Sequence, residues 1–412
     1  MGDAAPPAEG PTPGRCYRRP PMGTSSRRMR PVVVVLALGV GVCMAAIAAG
    51  CSGGEPTKTL PSGPTPRAAR AVPYDPTITF KQPMPADPEL DPRSAAIAGQ
   101  LAANRAIGTV DLSSRSDVPP IYVVRPGDPF YSVTVGGRKA RFRVPAGAEP
   151  GGGEDHPLVL LDPDHPDYGP ATELRLLRAE IDPATRTLTG AGAGLFHYND
   201  DGRILNPDGT RSLAQPFAGV GTGSGLSIMA GLIRPEEVEA GVIRHALRFA
   251  YSASDFSDRF RAPAIKTDQP KNTTTRDPAT AMDMGMRLQL DPSVDCDART
   301  VPGESDTSAA TAYLRMICHA LQDYGMIAVD GTGDRGLALM MEDSTTADWP
   351  AILGDERFGS YSWIVRDEAT PDDHLSRDAS SGIPWDRFRV LKLGVPRPMP
   401  ARTTSSGAVE TR

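Results

Sequence analysis

The 412-residue chain predicts a mainly β protein, an antiparallel β-sandwich of jelly-roll type with one or two accessory helices. Three observations predict it. Short runs with apolar residues at every second position recur along the middle of the chain. Glycine and proline, 42 of each, punctuate those runs. Only residues 307–324 carry a long apolar stripe at helical spacing. The alternation of strands and helices that would build a parallel nucleotide-binding sheet is not seen, and neither is a long internal repeat.

The N-terminus reads as a targeting segment. Arg27, Arg28 and Arg30 precede an apolar run from Val32 to Ala49, followed by Gly50-Cys51. The box Ala48-Ala49-Gly50-Cys51 resembles a bacterial lipoprotein cleavage site, with Ala48 where that pattern prefers Leu. Residues 1–51 are therefore expected to be a signal peptide, and Cys51 the lipidated first residue of the mature protein. That places the body outside the cytoplasm, anchored to the membrane by lipid. An uncleaved anchor is the competing reading, because the run approaches the minimum length for a membrane span. Residues 52–92 read as a flexible Pro/Gly/Ser-rich tether. Residues 93–395 read as a single domain, and 396–412 as a disordered tail.

Charge narrows the partners. Without the segment before Cys51, Lys+Arg falls from 44 to 38 and Asp+Glu from 50 to 48, a net charge of −10. A polyanion is repelled by such a body, so nucleic acid is not expected as a partner. Cys16 and Cys43 leave with the signal and Cys51 takes the lipid. Cys296 and Cys318 remain, and an oxidising compartment makes a disulfide between them the natural expectation.

The elements follow in order. Ser94–Asn104 predicts a short helix with Ser94 near its cap. Residues 121–124 predict a strand. Phe130–Val135 and Arg138–Val144 flank Gly136-Gly137, a two-residue hairpin signal. Residues 157–162 and 172–182 read as buried strands, and Gly190, Gly192 and Gly194 mark close backbone approaches in the next. Residues 219–252 are the most patterned stretch: alternating glycines, an apolar segment, a helical turn opened by Pro235, and a strand over 242–251. Met284, Met286, Leu288 and Leu290 share one strand face. In the long helix, Ala309, Ala312, Tyr313, Met316, Ala320 and Tyr324 form the expected core stripe, and Gly325 the stop.

The segments PAGAEPGGGEDHPLVLLDP, GSGLSIMAGLIRPEEVEAGVIRHALRFA, GMRLQLDPS, ALQDYGMIAVD and DRFRVLKLG together resemble a family of uncharacterised secreted bacterial β-rich, jelly-roll-like proteins. The resemblance spans roughly residues 143–394. It implies secretion and a single domain, and it transfers no catalytic residue.

Candidate chemistry centres on His245, which the alternation puts on the strand face of Ile243, Leu247, Phe249 and Tyr251, with Arg244 and Arg248 opposite. A histidine there is a satisfied core group or lines a pocket, and as a base it needs a partner that fixes its second nitrogen. Asp155, His156 and Glu173 are the candidate partners, provided their strands neighbour His245. Arg287 could neutralise an acidic sugar, and Tyr251 and Gln289 fit a lyase by residue type. The expected function is that of a membrane-tethered carbohydrate-active enzyme, a glycosidic-bond lyase or hydrolase. The alternative is a non-catalytic glycan-binding or cell-envelope lipoprotein. Glu236, Glu237 and Glu239 read as solvent-facing charges at a helix N-terminus. No cofactor is expected: the glycine loop lacks the lysine of a phosphate loop, and histidine spacing fits no metal site. Calcium at Asp200, Asp201 or Asp208 is the one metal alternative.

Overall fold

The structure is a computed structural model. It describes residues 79–85, 87–105, 110–113, 117–198, 222–267, 277–301, 304–332, 336–354, 363–364, 382–392, 394 and 397–398. All of them belong to one compact unit, Ser62–Arg412. The first strands are β1 (Val110–Ser113), β2 (Ile121–Val123), β3 (Phe130–Val135) and β4 (Arg138–Arg143). Then come β5 (Leu158–His165), β6 (Gly169–Leu177), β7 (Glu180–Asp182), β8 (Thr187–Gly190) and β9 (Gly192–His197). β10 (Leu247–Ser252), β11 (Phe256–Phe260), β12 (Met282–Met284) and β13 (Arg287–Leu290) follow. The last are β14 (Met326–Thr332), β15 (Leu337–Met340), β16 (Trp363–Ile364), β17 (Phe388–Val390) and β18 (Arg397–Pro398). The helices are α1 (Ser94–Arg105), α2 (Pro235–Glu239), α3 (Ala309–Asp323) and α4 (Trp349–Leu353).

The fold is strand-rich with few helices, and its strands form four mixed sheets. The largest has the order β16-β1-β15-β10-β14-β13-β17. One face carries Leu247, Phe249, Tyr251, Met286, Leu288 and Leu290, packed on Ile97 and Leu101 of α1 and Leu314, Ile317 and Leu321 of α3. The other face carries Ala250, Ile327 and Val329. It meets Val159 and Leu161 of the sheet β2-β5-β6-β9 through Leu226, Ile228, Met229 and Leu232, which lie between them. The second sheet's far side, with Leu158, Leu160, Leu174 and Leu176, packs on Tyr131, Val133, Phe142 and Leu188 of β4-β3-β8-β7.

Several expectations stand because they rest on local chemistry. Gly136 and Gly137 both take positive φ, 55° and 76°, as a hairpin turn of this handedness requires, and β3 pairs with β4 around them. Gly325 at φ 74° ends α3 as expected, while its start is capped by Ser308, which no expectation named and which accepts the Thr311 N–H. Gly190 approaches the Leu177 carbonyl so closely that a Cβ would sit 2.9 Å from it.

Other expectations are corrected. The sheets are not all antiparallel: β1/β15, β2/β5, β3/β8, β10/β14 and β11/β12 pair in parallel. Parallel neighbours need long connections, and β10 reaches β14 only after β11 to β13 and α3. Among the described residues the strand order does not close into a sandwich or jelly roll. The buried face of α3 is turned from the expected stripe. Tyr313 and Ala320 are buried, but Ala309 and Ala312 are exposed, and Leu314, Ile317, Cys318 and Leu321 fill the core instead. Burying the larger side chains decides the rotation, at about 1.5–3 kcal/mol for each large aliphatic group.

The end of the expected tether is docked. Phe80 is buried between the sheets, and the Phe80 carbonyl accepts the Ala246 N–H. Likewise β18, inside the expected tail, pairs with β11.

Candidate functional site

Residues Thr222 to Pro235 are buried without a break. They form neither a long helix nor a strand, so each buried peptide group needs a partner from elsewhere. Ser224 N–H donates to the Val329 carbonyl, and the Ser224 carbonyl accepts from Ile265 N–H. Ile233 exchanges hydrogen bonds with Met340 and Glu342 beyond β15, and the Gly231 carbonyl accepts from Arg248 N–H. The carbonyls of Ser227 and Ile228 are met by the guanidinium of Arg248, which is fully buried. Gly225 and Gly231 both sit at φ 78°. A Cβ at Gly231 would collide with Phe80, and one at Gly225 with Ile265. These two glycines therefore serve close packing; Gly219 and Gly221 lie outside the described residues.

The chain leaving this segment builds a buried ionic cluster. Arg234 donates its backbone N–H to the Glu237 carboxylate at 3.1 Å, the return half of a capping box around α2. Its Nε donates to Glu342 at 2.9 Å, and Glu236 lies 3.7 Å from its Nη2. Three neighbouring carboxylates hold the Arg234 guanidinium above its ordinary pKa although burial opposes this. His245 completes the cluster, its Nε2 3.0 Å from the Glu237 carboxylate and its Nδ1 2.9 Å from the Ala246 carbonyl. Burial pulls the His245 pKa down, and the charge and hydrogen bond of Glu237 more than reverse it, so the net direction is up. Tyr313 from α3 is also buried, and burial with the nearby Glu237 charge pushes its phenol up.

The expected partners of His245 are not the ones found. The strand proper starts at Leu247, so His245 precedes β10 on the α3 side of the large sheet. β5 and β6 pair with each other in a different sheet. Glu173, on β6, is buried and accepts the Ser227 hydroxyl in the layer between the sheets, the side to which Arg248 points. His156 is exposed at φ 37°, with its carbonyl accepting the Ala179 N–H. Burial and the Asp117 charge raise the pKa of Asp155, against the pull of Arg175 and Arg178. The expected gathering of Glu173, Asp155 and His156 around His245 does not form.

Arg287 is buried on β13 and donates to the carbonyls of Tyr324, at the C-terminus of α3, and of Gln82. Its role is to satisfy carbonyls at a helix end. Burial lowers its pKa to about 10. Gln289 bridges the Gln322 carbonyl and Arg389, and the buried Tyr251 hydroxyl accepts from Asn104. Neither side chain opens on a site with Arg287.

Sequence reasoning read Glu237 as a solvent-facing charge, which its burial against His245 corrects, and it passed over Arg234 and Glu342. One signal was available for Glu237: Pro235 fixes the first helical position, and the glutamate two residues later stands where a capping-box carboxylate reaches back. Nothing local marks Glu342, which lies 108 positions from Arg234.

Cys296 and Cys318 form a disulfide that ties the loop after β13 to α3. Among the described residues no group of three or more His, Cys, Asp or Glu is arranged to hold a metal ion. Asp200, Asp201, Asp208 and the lipidation residue Cys51 lie outside the described residues. No family model, curated protein or solved structure matches the chain.

Proposed function

We propose that this is an exported, lipid-anchored protein of the cell envelope that acts by binding, with a glycan as the class of partner, and not by cleaving glycosidic bonds. The observation that carries this reading is the state of His245, whose two ring nitrogens both face acceptors inside the protein. A general base needs one nitrogen open to substrate. The engagement of Arg287 with carbonyls and of Glu173 with Ser227 supports the same reading. Export is supported by the lipoprotein-type box ending at Cys51 and by the disulfide, a bond typical of oxidising compartments. The net charge of −10 without the leader speaks against nucleic acid.

The competing reading is a carbohydrate-active enzyme, and the 3.0 Å His245–Glu237 pair is the one observation in its favour. One experiment separates the two. The intact protein is incubated with envelope and environmental polysaccharides, and both retention on the polymer and release of new chain ends are measured. Binding without turnover is expected. Turnover that disappears in a folded His245→Ala variant overturns the proposal in favour of the enzyme. Anchoring is tested separately with Cys51→Ser, which should free the protein from the membrane fraction and shift its mass to that of the non-lipidated chain.

A further inference from the structure

We propose that His245 is a pH-operated latch: as an imidazolium it ties α2 to the chain entering β10, and loss of its proton on the alkaline side releases α2. The geometry requires two donors. A backbone carbonyl can only accept, and so can an ionised carboxylate, so the Ala246 carbonyl and the Glu237 carboxylate each call for an N–H. Only the protonated ring supplies both. His245 is 5% exposed and Glu237 6%, so water is poorly placed to replace a lost bond, and a buried acceptor left alone is costly.

The surrounding charges agree. Glu236 and Glu237 face the cluster from α2, Glu342 from the chain after β15, Arg234 from the residue before α2, and Lys81 from the turn at 79–81. With the ring protonated, three carboxylates meet three cations. Without that proton one buried negative charge is left over. Tyr313, the titratable group that α3 contributes, supplies no positive charge in either form, and burial with the Glu237 charge keeps its phenol neutral to higher pH. Arg234 remains bound to Glu342 in both states, which confines the change to α2 and the loop up to His245. The upward direction of the His245 pKa matches this order of events.

Hydrogen exchange on the intact protein tests the latch. Protection of peptides covering residues 234–246, corrected for the intrinsic pH dependence of exchange, is followed from acid to alkaline pH in the wild type and in His245→Gln. The expected result is a wild-type loss on the order of tenfold per unit once pH exceeds the ring's pKa, with α3 peptides unchanged and a flat profile in the variant. Constant wild-type protection, or the same decline in both proteins, overturns the latch. Nitrogen-15 spectra of histidine-labelled wild type decide the matter if the variant does not fold. Two protonated nitrogens on His245 at about pH 7, above the ordinary histidine pKa of roughly 6.5, support the latch. A neutral ring there overturns it.

Discussion

Two buried ionic clusters hold this protein together, and they answer pH in opposite ways. In one, Arg261 bridges Asp91 at 3.2 Å and Asp283 at 2.7 Å. Arg93 contacts the same two carboxylates, and Ser257 donates to Asp283. In the other, Glu237, Glu342 and Glu236 face Arg234 and His245. The first contains only guanidiniums and carboxylates, whose charges are constant across neutral pH. The second includes an imidazole, the side chain whose charge changes in that range.

The limbs on which they lose stability therefore differ. Burial raises the pKa of Asp91, but its hydrogen bonds and charge interactions with Arg93 and Arg261 lower it further, so the net direction is down. Its contribution is present above the unfolded value of about 4 and is lost as pH falls through the folded value. For His245 the folded pKa is raised. Its contribution is complete below the unfolded value of about 6.5 and is lost as pH rises through the folded value. One cluster fails on the acid side and the other on the alkaline side.

The comparison can be broken by mutation. The largest expected effect is that of Arg261→Ala, which leaves Asp91 and Asp283 buried with Arg93 as the one guanidinium described beside them. Removing one partner of a buried pair costs about 3–5 kcal/mol, readable as a lower denaturation midpoint at neutral pH. Next comes the disulfide, a tie with no titrating charge. Replacing Cys296 and Cys318 by serine should cost about 3 kcal/mol, from the entropy of the loop the bond closes. That loss should be the same at pH 6 and pH 9, which makes it the reference for the two clusters; a strongly pH-dependent loss would refute the assignment.

His245→Ala is expected to cost about 2 kcal/mol at pH 6, where two acceptors lose their donor. The difference from wild type should shrink as pH rises, since the native ring then loses its own advantage. A gap that widens toward pH 9 would contradict the cluster's charge balance. The smallest effect belongs to Arg141→Ala. Arg141 pairs with Asp167 at 2.7 Å on the surface and lies over the Phe130 ring. Its removal should leave the midpoint unchanged within error, and a clear loss would show that exposed pairs matter here as buried ones do.

How legible all this was depended on range. The single strand expected to carry Met284, Met286, Leu288 and Leu290 is split at Gly285, φ 86°, between β12 and β13 of two different sheets. The Gly136-Gly137 hairpin and the Gly325 stop, by contrast, are set within a few residues. Each could be read directly. The role of Glu237 could not, because an acidic first turn looks the same whether it faces water or a histidine eight positions on. The expected meeting of Glu173, Asp155 and His156 with His245 failed for a different reason. It needed β6 beside β10, and sheet partners are chosen by long-range pairing that no local pattern encodes.

The stretch from Thr222 to Ser252 shows the division most clearly. Its sequence by itself determined a tight glycine-bearing loop, a turn starting at Pro235, and a strand with Leu247, Phe249 and Tyr251 on one face and Arg248 on the other. These follow from steric limits on single residues and from the two-residue repeat of a strand. Only the tertiary structure decided that the loop lies buried between two sheets, that Arg248 satisfies its carbonyls, and that Glu237 closes on His245. A buried polar group must find its partner wherever the fold brings one, and here the partners lie from eight to 108 positions away.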